Sequence, residues 1–218
     1  MSVHAVFDGH GGEWCAQFVK VRFENELRLN LLDPIDGIYG KNRPNFNACV
    51  KKALDKTFYN LDEEYQTQRY QIAGKCGSTA CVVLIIGNHI FCANIGDSRA
   101  VLSRNGVAIN LSLDHKASRP DEVERIKAND GSIQYDRVGG RLAITRAFGD
   151  FEFKSIIDED GQLVRKNFIT PDPEIRRHDL DLDVDEFIII ASDGLFDMFS
   201  SQEAIDFIRE KMSKQKYL

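Results

Sequence analysis

Three apolar segments of this chain each run directly into an aspartate beside a glycine. Val3-His4-Ala5-Val6-Phe7 ends in Asp8-Gly9-His10-Gly11-Gly12, and Ile90-Phe91-Cys92-Ala93-Asn94-Ile95 ends in Gly96-Asp97. Phe187-Ile188-Ile189-Ile190-Ala191-Ser192 ends in Asp193-Gly194, with Asp197 close behind. Short apolar runs bounded by glycine read as buried strands. Carboxylates at strand ends can converge where a sheet opens to solvent, and hard divalent cations take several carboxylate, carbonyl and water oxygens at such places. The pattern therefore predicts a Mg²⁺ or Mn²⁺ site assembled from distant segments. The competing reading is ordinary turn chemistry, since Asp and Gly both serve turns. One instance favours the turn; three instances, one inside the unusual run Asp8–Gly12, favour the site.

The chain has 218 residues, enough for one good-sized domain or two small ones. An apolar fraction of 43% supports a real core. The net charge of −6 and the lack of a basic stripe argue against nucleic acid as a partner; the mixed tail Arg209–Lys216 is the best basic candidate. No apolar run approaches a membrane-spanning length, and Met1-Ser2-Val3-His4 lacks the basic opening of a signal peptide. The five cysteines are scattered, with no Cys-x-x-Cys pair, which predicts reduced thiols in the cytoplasm or nucleus and no zinc site. None of them sits in a His-Cys-x₅-Arg loop. Nothing signals an oligomer, so a monomer is expected.

Glu13 to Leu32, apolar at Trp14, Phe18, Val21 and Leu32, reads as an amphipathic helix launched from Gly11-Gly12. Asp33 to Asn45, with Pro34, Gly37, Gly40 and Pro44, reads as a loop. Phe46, Val50, Leu54, Phe58, Leu61 and Tyr65 recur at helical spacing to about Gln68. Thr79–Ile86 and His89–Ile95 form a hairpin about Gly87-Asn88; Ser98–Arg104 and Val107–Ser112 form another about Asn105-Gly106. Pro120 to Asn129 carries helix signals at both ends. Ser132 to Ala143 reads as mixed strand and turn, and polar Phe151 to Asn167 as a loop. Ser200 and Glu203 form a capping box for a last helix bearing Ile205, Ile208 and Met212. Strands cluster centrally between helices, which favours an α+β layered domain over alternating βαβ units.

Read in order, the segments resemble the metal-dependent protein phosphatases of type 2C. The matching blocks are Val6–Gly12, Gly77–Ala80, Asn94–Ala100, Asp114–Lys116, Arg137–Ala143, Thr145–Asp150 and Ala191–Asp197, spread over about residues 3–210. The resemblance implies two packed, mostly antiparallel sheets flanked by helices in a four-layer sandwich. It also implies hydrolysis of phosphoserine and phosphothreonine in proteins by a water shared between two cations, attacking phosphorus in line. By the same resemblance Asp8 is the bridging ligand, Gly9 gives its carbonyl, and Asp193 is a second ligand. Asp97 and Asp197, with Asp193, are the set that holds a weaker third cation in some members. A side chain at Gly9 would crowd the metal.

His10 resembles the general acid that protonates the departing oxygen, and an ordinary pKa of about 6.5 suits that work. Its other reading is a histidine bonded to a turn carbonyl. Arg137 and the segment 116–143 resemble a flap that tunes substrate choice, although Arg137 also reads as a plain surface cation. His115 is expected to be structural. Arg99 and Arg146 are expected to tie strands to carboxylates, and Ser78-Thr79 to start a buried strand with hydroxyls bonded to backbone.

Family members carry strands before the Asp-Gly-His segment that supply a phosphate-gripping arginine and an acidic residue for the second cation. They end in a strand whose Asp-Asn pair completes the first cation's ligands. Neither set is found in residues 1–218, so the expectation is a single phosphatase-like domain without its first and last strands, poorly active alone, with sheet edges uncovered. The alternatives are an inactive phosphatase-like scaffold that binds protein partners and a metal-stabilised structural domain.

Overall fold

The computed structural model describes residues 1–33, 36–40, 45–68, 75–157 and 160–215. Pro34 and Pro44 of the expected loop and Lys216 of the basic tail lie outside the described residues. The chain opens with β1 (Ser2–Val6), β2 (Gly9–His10), α1 (Trp14–Leu31) and α2 (Phe46–Gln68). Next come β3 (Gly77–Ser78), β4 (Ala80–Ile86), β5 (His89–Ile95), β6 (Arg99–Arg104) and β7 (Val107–Asn110). Helix α3 (Pro120–Ala128), β8 (Ile133–Gln134), β9 (Arg137–Val138) and β10 (Phe148–Gly149) follow. The last part holds β11 (Ser155–Ile157), β12 (Leu163–Arg165), β13 (Glu174–Asp179), β14 (Asp185–Ala191), the single turn α4 (Asp193–Phe196) and α5 (Ser201–Gln215).

Two antiparallel sheets form the centre, with strand orders β1-β4-β5-β13 and β14-β6-β7. Alternation along β4 explains why its whole run is apolar: Val82 and Leu84 face the helices, while Cys81 and Val83 face the second sheet. On one side α1 and α2 cover the first sheet through Val19, Phe23, Leu27, Leu54, Phe58 and Leu61. On the other, α5 covers the second sheet through Ala204 and Ile205 against Val101. The order helices, sheet, sheet, helix is the layered α+β arrangement expected. The Asn105-Gly106 turn has φ of 49° and 78°, the left-handed pair that joins β6 to β7. Among the described residues no helix is long and apolar enough to cross a membrane, and all five cysteines are buried free thiols.

Four expectations need correction. The buried stripe of α1 is Cys15, Val19, Phe23, Leu27 and Leu31, whereas Trp14, Val21 and Leu32 are exposed. The helix turns its best-spaced stripe inward, and the three exposed residues lie off that face. Segment 151–167 is not a plain loop: a 3-10 turn (Phe151–Phe153) precedes the β11–β12 hairpin, in register Ile156 to Val164. Its polar composition conceals two short strands that form a two-stranded sheet among the described residues. Strand β13 has no counterpart among the predicted elements; its sequence Glu-Ile-Arg-Arg-His-Asp is charged, as suits a sheet edge. Finally, β1 and β14 are half-buried at best, because each is an edge strand. An open groove of about 610 Å³ runs between them, lined by Ala5, Val83, Leu102, Ile188 and Ile190 among others.

The β8–β9 hairpin turns on Tyr135 and Asp136, both at φ 54°. This turn type prefers glycine at its second central position. Asp136→Gly should therefore raise stability by about 0.5–1 kcal/mol, read as a higher urea midpoint with an unchanged slope.

Candidate active site

Ser78 and Thr79 pin the backbone of Asp8. The Asp8 N–H donates to Thr79 Oγ1 (3.1 Å), and the Asp8 carbonyl accepts from Thr79 N–H (2.9 Å) and Ser78 Oγ (3.3 Å). Thr79 Oγ1 also bonds Ser98 Oγ at 2.7 Å, next to Asp97. A chain of buried hydroxyls thus links the segment after β1 to the segment after β5. Asp193 enters from the end of β14 as the first residue of α4. Asp8, His10, Asp97 and Asp193 line one cleft of about 220 Å³ with Thr79, Arg137 and the stretch Leu142–Ile144.

The carboxylates repel one another there. Burial, and then the charge of Asp193, push the Asp97 carboxyl up to about 6. Burial and Asp193, which lies against it, also raise Asp8, and nearby His10 offsets part of that rise. Such a set suits a divalent cation, whose charge would offset the repulsion and whose shell is built from oxygens. Among the described residues, however, no three His, Cys, Asp or Glu side chains stand together at ligating distance. The fit is to Asp8 and Asp193 as a close pair, with Asp97 nearby and the rest of the shell left to carbonyl and water.

Asp197 is not brought into the cleft; it is exposed and pairs with Lys116 at 3.5 Å. The space beside Gly9 is limited by the protein itself. An added Cβ would meet Ala16 Cβ at 3.0 Å and Gly12 O at 3.3 Å, so helix α1 is what restricts this position.

His10 has a partner that sequence reasoning did not name. Its Nε2 lies 2.6 Å from Oδ2 of Asp150, which is buried. Burial works against the charged imidazole, but the bond to Asp150 and the fields of Asp150, Asp8 and Asp97 outweigh it and raise the His10 pKa. Asp150 is in the left-handed region (φ 52°, ψ 37°), and its N–H donates to Cys76 O at 3.0 Å. The pair rests on the backbone of Gly77. A Cβ there would fall 2.2 Å from Asp150 Oδ2 and 2.4 Å from His10 Nε2.

Arg137 both lines the cleft and donates to Arg141 O (2.7 Å), which helps close its own turn. Arg99 grips Asp114 with two bonds (2.9 and 2.7 Å) and lies over the Phe196 ring, holding α4 against β6. His115 is fully buried; burial lowers its pKa, and its Nε2 lies 3.5 Å from Glu174.

Arg146 finds Glu122, a buried hub that sequence reasoning missed. Glu122 accepts from Arg146 (3.0 and 2.6 Å), Arg125 (2.8 Å) and Thr145 (2.6 Å). Burial pushes its carboxyl up, but these bonds win and bring it to about 2. The block Thr145–Asp150 carried both Arg146 and Asp150, yet nothing local in it indicates partners 24 and 140 residues away.

Comparison with known proteins identifies the family and the fold. The family model for protein phosphatase 2C matches residues 1–218. Protein phosphatase 1L of Bos taurus is 36% identical over 220 residues, covering 99% of this chain and 57% of that protein. The structure of a C. elegans sex determining protein superposes with a TM-score of 0.75 at 27% identity, over 94% of this chain and 46% of that one. A serine-threonine phosphatase 2C from Toxoplasma gondii shares the fold, with a TM-score of 0.76 at 20% identity, over 98% of this chain and 74% of that one. This chain belongs to the protein phosphatase 2C family, a generally metal-dependent group. It spans about half the length of the curated relatives it matches.

Two stability outcomes follow. Gly77→Ala should cost about 2–3 kcal/mol in urea unfolding, because the added Cβ would strike the bonded side chains of Asp150 and His10. Glu122 has a depressed pKa in the folded chain, so its contribution is full above about pH 4.5 and lost as pH falls toward about 2. That contribution is on the order of 3 kcal/mol from the size of the shift. Unfolding free energy measured against pH should show this loss, and Glu122→Gln should remove it.

Proposed function

We propose that this chain carries the catalytic centre of a protein serine/threonine phosphatase that removes phosphate from phosphoserine and phosphothreonine. The observation that carries the reading is the His10–Asp150 pair, which opens onto the same cleft as Asp8, Asp97 and Asp193. Asp8 and Asp193, with the Gly9 carbonyl, would hold Mg²⁺ or Mn²⁺, with Asp97 available to a weaker third ion that Asp197 would join only by leaving Lys116. Bound there, two such cations activate water as the nucleophile and offset charge on the phosphoryl group.

The remaining work belongs to the chain's own residues. With Asp150 ionised, His10 Nε2–H is the donor in their bond, so Nδ1 holds the proton to be given away. The raised pKa favours the protonated imidazole, whose proton would pass to the departing serine or threonine oxygen. Arg137 stands at the cleft wall, where a guanidinium can meet phosphate or an acidic neighbour in the peptide. Residues 116–143 act as the flap. Helix α3 and its Glu122 hub anchor that flap to Arg146. We assign the protein to the cytoplasm or nucleus, as a monomer without nucleic-acid or membrane partners.

One observation favours a second reading, the non-catalytic scaffold: no three side chains stand at joint ligating distance among the described residues. Hydrolysis of a phosphoserine peptide with added Mn²⁺ separates the two. The expected result is turnover lost in Asp193→Ala and reduced about 100-fold or more in His10→Ala. Absence of turnover from this chain and from a longer form alike, with no Mn²⁺-dependent rise in melting temperature, would favour the scaffold.

A further inference from the structure

We infer that the buried ion pair between Asp62 of α2 and Lys154 is a positioning device for the His10–Asp150 pair; this rests on the general-acid reading of His10. Both side chains are nearly enclosed, at 7% and 10% exposure. Lys154 Nζ lies 2.8 and 2.7 Å from the two Asp62 oxygens and donates to Ala147 O at 3.0 Å. Asp62 Oδ1 also accepts the Gly149 N–H at 2.8 Å. The pair therefore holds segment 147–154 at Ala147, at Gly149 and at Lys154 itself. Asp150 lies inside that span, and its carboxylate reaches His10.

Stability alone gives a poor account of this arrangement. Well-packed apolar residues in place of a buried ion pair are often neutral or stabilising. Apolar residues cannot, however, supply directional bonds to a carbonyl, an amide and a carboxylate at once. The surroundings leave little room for error. A Cβ on Gly149 (φ 70°) would lie 2.2 Å from Cys76 O, and one on Gly77 would strike both members of the His10–Asp150 pair. With β3 fixed on one side, slack in segment 147–154 passes directly into the distance between Asp150 and His10. Catalytic geometry depends on that kind of support from residues behind the reacting groups.

Two readouts test the inference. The first needs no turnover: ¹⁵N–¹H spectra of the His10 imidazole in the purified chain. The wild type should show a downfield, slowly exchanging Nε2 proton that Asp150→Asn abolishes. The double variant Asp62→Asn with Lys154→Met removes both charges together, and it should lose or broaden that signal while the amide spectrum of α1 and β4 stays native. Lys154→Arg keeps the charge but not the three-way donation, and should shift the signal if the double variant does not fold. A wild-type His10 signal in whichever variant folds would overturn the inference.

The second readout is the ratio of turnover on a phosphoserine peptide to turnover on p-nitrophenyl phosphate, whose good leaving group needs little help from an acid. Loss of positioning should lower that ratio at least about tenfold, as part of the 10²–10⁴ that general acids contribute. A purely structural defect would lower both rates together. If His10→Ala lowers the ratio and the folded double variant does not, the positioning role fails and the acid role stands. If His10→Ala leaves the ratio unchanged, the acid role fails, and the imidazole spectra alone decide whether Asp62 and Lys154 set the pair.

Discussion

Contact between the backbone of Gly77 and the His10–Asp150 pair is the constraint on which the candidate site turns. Strand β3 has only two residues, yet it is the middle strand of the small sheet β10-β3-β2. One neighbour brings His10 and the other brings the turn bearing Asp150, and they meet over a residue with no side chain. The next two residues, Ser78 and Thr79, fix Asp8 and connect to Ser98. Four consecutive positions, Cys76 to Thr79, therefore set both the His10–Asp150 pair and the backbone of Asp8. Their bonding is mostly through backbone and hydroxyl groups, which tolerate little displacement.

Charge is buried here in two places with different consequences. Glu122 gathers two arginines and a threonine, so its charge is more than matched and its proton is released easily. The cleft gathers aspartates with few cations among them, so its protons are held more tightly. The first arrangement is complete as it stands and braces the segment that leads to Asp150. The second calls for positive charge from outside the chain, which is what a centre that handles phosphate with cations requires.

Much of the architecture was legible because it is locally encoded. The helical stripe Phe46–Tyr65, the Asn105-Gly106 turn, and the three Asp-Gly strand ends each carry their own signal in a short window. The convergence of Asp8, Asp97 and Asp193 followed from repetition of one local pattern. What escaped was long-range or lacked a pattern. Nothing local marked Asp62 or Lys154, and Glu122 counted only among the signals for a helix start, since burial of an ionisable side chain depends on partners far along the chain. Asp150 sat unnoticed at the end of a recognised block because its value lies in reaching back to His10. Asp197 was grouped with the other aspartates by the family resemblance, but it pairs with Lys116 outside the cleft. Strand β13 was hidden by charge, because an edge strand needs no alternation of apolar residues to pair.

The placement of β1 and β14 has a consequence for how the cleft behaves in time. Asp8 follows β1 and Asp193 follows β14, each an edge strand, but Asp8 is also tied to Ser78 and Thr79, next to the Gly77 over which His10 and Asp150 meet. Edge strands open at lower free energy than central ones, and opening of this kind is local rather than global. The two halves of the centre therefore differ in stiffness. The half gathered around Gly77, with Asp8, His10 and Asp150, moves together, while Asp193 can breathe with the rim of the second sheet.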